Sequence, residues 1–80
     1  MTARVTLVGK PDCHLCDVAR AVVAAVCAET GDSWSECSIL DDPALYDEYW
    51  ERIPVVLVDG RPHDFWRIDP ARLSAALTRS

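Results

Sequence analysis

Arg4 to Val8 reads RVTLV, a β-branched, apolar run that stops at Gly-Lys-Pro directly ahead of a long helical pattern. A strand that feeds a helix narrows the folds open to the chain. The helical crossover returns the backbone to pair in parallel with the strand it left. From Cys13 to about Thr30, Leu15, Val18, Ala19, Val22 and Val26 recur at i, i+3, i+4 and i+7, the alanines favour helix, and Gly31 supplies a C-terminal stop. Those five residues are the expected buried face. Ser33 to Leu40, SWSECSIL, alternates loosely and reads as the second strand.

The rest of the chain alternates in the same way. DDPALYDEYWERIP opens with Asp before Pro, sets Leu45 and Tyr49, and likewise Tyr46 and Trp50, four apart, and must stop ahead of Pro54: a short second helix. In PVVLVDGRPHDFWRI, Asp59-Gly60 between two strand-like runs is a hairpin signal, so strands 3 and 4 pair antiparallel. Trp66 beside Phe65 is expected on the last strand, with one of the two facing inward. DPARLSAALTRS gives a third helix with Asp69 as N-cap, Pro70 in its first turn and Leu73, Ala76 and Leu77 on one face. The expected fold is α/β, with the order β-α-β-α-β-β-α and one four-stranded mixed sheet carrying helices on both faces.

The 80 residues suit one domain, 1–80, with a single core, and no repeat or linker divides them. A formal charge of −5 with scattered Lys and Arg disfavours nucleic acid and anionic membranes as partners. Ala21 to Ala28, the longest uncharged run of the first helix, is far short of the ~20 residues that cross a bilayer. MTARVTLVGK lacks a secretory pattern, which points to the reducing cytoplasm.

Of the four cysteines, only Cys13 and Cys16 stand at motif spacing. At a strand-to-helix turn, the sulfur of Cys13 would meet unpaired N–H groups and the positive end of the helix dipole, which favour thiolate. Cys16, one turn further on the same side, is placed to attack a mixed disulfide on Cys13. Lys10 and His14 add cationic candidates near the pair, and Asp12 opposes them. The other readings of the pair are half of a zinc site, which would need Cys27, Cys37 and His63 to converge, or two packing cysteines. Cys27 and Cys37 read as small buried hydrophobes.

KPDCHLC after the first strand, RIPVVLVDG after the second helix and the order of elements resemble the glutaredoxin-like branch of the thioredoxin-fold proteins, including the small bacterial glutaredoxin-like domain family. The resemblance covers nearly the whole chain. It implies that Cys13 is the attacking thiolate, that Cys16 is the resolving thiol and that Pro54 is a cis proline facing them. A cis bond there leaves the backbone of Ile53 open to pair with a peptide or glutathione. Lys10 matches the lysine that glutaredoxins place near a carboxylate of glutathione, and Arg52 is a second candidate for that anion.

The chain departs from the family's glutathione binders where it reads FWRIDP in place of a Gly-Gly pair before the last helix, so the resemblance does not fix glutathione as the substrate. His14-Leu15 stands where thioredoxins carry Gly-Pro, and the first strand holds no acidic residue. The expected activity is a dithiol oxidoreductase that reduces protein or glutathione mixed disulfides, with glutathione or a reductase as electron donor, no cofactor and a monomeric chain. The alternative is a zinc or iron-sulfur carrier or sensor on the same fold.

Overall fold

The computed structural model describes residues 3–79, apart from the side chain of Arg79. In chain order it has β1 (Val5–Gly9), α1 (His14–Thr30), β2 (Trp34–Ser38), a 3₁₀ turn (Ile39–Asp41), α2 (Pro43–Tyr49), β3 (Val55–Val58), β4 (Arg61–Phe65) and α3 (Pro70–Arg79). The sheet order is β2-β1-β3-β4, with β1 parallel to β2 and antiparallel to β3, and β3 antiparallel to β4.

Alternation in β1 and β3 builds two cores. Val5, Leu7 and Val56 pack with Ala19, Val23, Val26 and Cys27 of α1 and with Leu73 and Leu77 of α3. Val8 and Val55 point the other way, toward Ile39 and Tyr49 on the α2 side. The two central strands are therefore covered on both faces, as continuous apolar runs require. Arg4 ties the layers together, bonding the Leu77 carbonyl at 2.8 Å and pairing with Asp32 and Asp59.

Capping sets the helix ends. Asp42 Oδ1 accepts the Ala44 N–H at 2.9 Å, and Asp69 Oδ1 accepts those of Ala71 and Arg72 at 2.9 and 3.3 Å. Gly31, at φ 80°, closes α1 by donating its N–H to the Cys27 carbonyl at 2.8 Å, a left-handed cap that suits glycine.

Three expectations are corrected. Ile39 and Leu40 leave the second strand, because the Ser38 hydroxyl accepts the Leu40 N–H at 3.1 Å and starts the 3₁₀ turn. The buried face of α1 is rotated: Ala19 and Val26 lie on it, but Cys16, Val23 and Cys27 complete it, while Leu15 and Val18 are 37% and 48% exposed. On that face the Cys16 sulfur is seated against Gly9 of β1, while Val23, Val26 and Cys27 pack into the core. Trp66 lies beyond β4 at φ 59°, and its left-handed backbone turns the chain out of the ladder.

Candidate active site

The site grows from the registration of the sheet. Val8 pairs with Val55 and Val55 with Phe65, so the exit of β1, the entry of β3 and the exit of β4 share one end. Neighbouring strands lie ~4.8 Å apart, which brings the segments beyond those residues into one small area. They carry the Cys13 turn, Pro54 and Trp66. The Ile53–Pro54 bond is cis.

Pro11 and Asp12 form the turn that delivers Cys13 to the start of α1, with Asp12 exposed at φ 58°. Cys13 is the N-cap residue: its carbonyl accepts the Asp17 N–H at 3.0 Å and its half-buried Sγ accepts the Cys16 N–H at 3.3 Å. Charge on that sulfur would face an N–H donor and the positive end of a 17-residue helix.

Cys16 is fully buried. Burial, first, pushes its thiol up to about 11; a side-chain hydrogen bond with Cys13 pushes the same way, while the Lys10 backbone N–H and the Arg20 charge pull it down. Cys13 thus lies toward solvent with Cys16 behind it, and the Cys16 backbone N–H is bonded to the Cys13 sulfur. A methyl group added at Gly9 would lie 2.9 Å from Cys16 Sγ and 3.2 Å from its Cβ, so only glycine leaves room for that sulfur.

Of the other expected site residues, Lys10 and His14 are exposed, Ile53 is half-buried against the α2-side core and Pro54 is buried. Arg52 lies over the Phe65 ring at 5.8 Å from its centroid. Beside the site opens a cleft of about 370 Å³ lined by Gly9, Lys10, Arg20, Glu36, Cys37 and Asp41, among others, but by neither thiol of the motif. Cys37 has its thiol pushed up by burial and by the carboxylates of Asp42, Asp41 and Glu36. Cys27 is a core residue, pushed up by burial and then by Asp32. With Cys27 on α1 and Cys37 and His63 on opposite edge strands, these three do not converge. Among the described residues no group of three His, Cys, Asp or Glu is placed to hold a metal ion.

Gly9 and Arg20 are the two contributors that sequence reasoning passed over. Arg20 bridges to Glu36 at 2.7 Å and Asp17 at 2.8 Å. Its spacing of four from Cys16 on a helix was a legible signal. Nothing in the sequence near Gly9 named the sulfur it faces.

Sequence comparison adds the family. Residues 4–78 match the Glutaredoxin-like domain (DUF836), and the chain belongs to that family of thioredoxin-fold proteins. Uncharacterized proteins of Mycobacterium bovis and Mycobacterium tuberculosis are 32% identical over 82 residues, spanning 96% of this chain and 84% of theirs. The X-ray structure of structural genomics target XcR50 from X. campestris superposes with a TM-score of 0.77 at 36% identity, over 95% of this chain and 97% of that one. The oxidised thioredoxin of Plasmodium falciparum shares the fold, with a TM-score of 0.58 at 10% identity over 96% of this chain and 81% of that one. The chain thus has a general thiol-redox fold. Among the described residues no helix is long and apolar enough to cross a membrane.

Proposed function

We propose that the chain is a dithiol thiol-disulfide oxidoreductase that reduces disulfides through Cys13. One observation carries the reading: a half-buried N-cap sulfur accepts the backbone N–H of a second, buried cysteine one helical turn on. The Cys13 thiolate attacks one sulfur of the substrate disulfide and forms a mixed disulfide, and the first substrate thiolate leaves and takes up a proton. Cys16 then loses its proton and attacks Cys13 Sγ. The second substrate thiol is released and a Cys13–Cys16 disulfide remains, two electrons having passed to the substrate.

Ile53 and cis-Pro54 offer backbone for a short strand-like pairing with the substrate. Lys10 supplies a cation at the mouth of the site, and Asp12, His14 and Arg52 tune its charge. The reading needs no cofactor besides the Cys13–Cys16 disulfide. It assigns a monomeric chain to the reducing cytoplasm, with glutathione or a reductase as electron donor.

The test uses Cys16→Ser. Incubated with a disulfide substrate, it should accumulate a mixed disulfide on Cys13, identified by mass spectrometry, which the unsubstituted chain resolves. Accumulation on Cys27 or Cys37 instead would contradict the assignment.

A further inference from the structure

The loop between β4 and α3 carries an exposed aromatic residue in a backbone conformation that bulky side chains rarely adopt. Trp66 sits at φ 59° and is 56% exposed. Two hydrogen bonds hold it against the segment that ends in Pro54: its main-chain N–H donates to the Pro54 carbonyl at 2.8 Å, and its indole Nε1–H donates to the Glu51 carbonyl at 3.2 Å. The indole is therefore fixed beside the cis-proline segment while much of its surface stays open to solvent.

Carboxylates of the same loop already occupy backbone donors at the end of β4 and the start of α3. Asp64 accepts the N–H groups of Phe65 and Asp69 at 3.0 and 3.1 Å, and Asp69 accepts those of Ala71 and Arg72. Pro70 has no N–H to offer. Arg72 pairs with Asp64 at 3.7 Å, which leaves Arg67 as the loop's other arginine against two carboxylates. An arriving carboxylate meets carboxylates where a helix start would otherwise present N–H groups. On the other side, Ile53 makes no main-chain hydrogen bond among the described residues, so its N–H and C=O are open to an extended peptide.

We infer that Trp66 makes the exchange site selective for a disulfide on a protein or peptide segment with an apolar residue beside its reacting cysteine, and against the doubly carboxylated glutathione. The inference rests on the exchange reading above. The peptide backbone lies along Ile53, its cysteine sulfur meets Cys13, and the neighbouring apolar side chain covers the indole.

The experiment is single-turnover oxidation of the pre-reduced chain by three disulfides: hydroxyethyl disulfide, the 2-mercaptoethanol mixed disulfide of glutathione, and that of a neutral peptide with Phe beside its Cys. The peptide should react about tenfold faster than glutathione, the scale of one aromatic contact. Trp66→Gly, which suits the positive φ, should lower that ratio several-fold, to the part that Asp64 and Asp69 set, and Trp66→Phe should keep most of it. Equal or faster reaction with glutathione, or a ratio unchanged in Trp66→Gly, would overturn the inference. Failure of all three disulfides to oxidise the Cys13–Cys16 pair would overturn the exchange reading itself.

Discussion

Cys16 and Cys27 lie on the buried face of the same helix, about three turns apart, and burial raises both thiols. What surrounds them differs. Cys27 packs in one core with Val23 and Val26, and the charge of Asp32 pushes its thiol further up. Cys16 stands at the end of β1, its backbone N–H bonded to a second sulfur, and the Lys10 backbone N–H and the Arg20 charge pull its thiol partly back down. Burial by itself makes a thiol inert. Under the proposed exchange reading, a buried thiol gains chemistry when its neighbour is another cysteine at an open edge of the fold.

The comparison breaks most visibly by substitution of one cysteine in each setting. Cys13→Ser should lower disulfide exchange by at least ~10³-fold, because it removes the proposed nucleophile. Cys27→Ser should keep exchange and lose ~1–3 kcal/mol of stability, since it buries a hydroxyl in an apolar core. Single-turnover oxidation and urea denaturation of both variants read the contrast, and loss of exchange in both would erase it.

Next in size is the pH dependence of the resolving step. With Cys16 pushed up to about 11, its thiolate fraction below that pH is small and grows tenfold per unit. Burial, the largest cause, persists when Cys13 carries a substrate. Decay of a preformed mixed disulfide on Cys13 should therefore accelerate about tenfold per pH unit between ~7 and ~9. A plateau already reached near neutral pH would show that Cys16 is not held in this way.

Gly9 sharpens the comparison further. In Gly9→Ala the new methyl group would meet Cys16 Sγ at 2.9 Å, with an expected cost of ~1–3 kcal/mol by overpacking and a slower resolving step. Thermal denaturation and mixed-disulfide decay measure the two effects, and a variant unchanged in both would show that the contact yields freely.

The smallest effect belongs to Arg20→Gln. The side chain is 41% exposed, so loss of its pairs with Glu36 and Asp17 should cost under ~1 kcal/mol. Removal of its charge lets Cys16 rise further, so the resolving step should slow at neutral pH. An acceleration would reverse the sign assigned to Arg20.

The order of elements was legible because each boundary carries local chemistry: Gly-Lys-Pro after β1, Asp42-Pro43 and Asp69-Pro70 at helix starts, and Asp59-Gly60 in the hairpin. The Cys13–Cys16 pair was legible because a spacing of three on a helix is a local fact. The rotation of α1 was not, since Leu15 and Val18 fit an apolar stripe as well as Val23 does, and tertiary packing, including the seat of Cys16 on Gly9, selects between them. Trp66 was misplaced for the same reason. Its left-handed turn is held by Pro54 and Glu51, which are distant in sequence.

The central claim is that Cys13 and Cys16 form one redox couple while Cys27 and Cys37 stay outside it. It is tested most directly by equilibrating the metal-free protein across a series of glutathione redox buffers and mapping all four thiols by mass spectrometry. The account predicts a reversible Cys13–Cys16 disulfide with a single midpoint, and Cys27 and Cys37 free throughout. Oxidation spread over all four positions, or no Cys13–Cys16 bond at any poise, would contradict it.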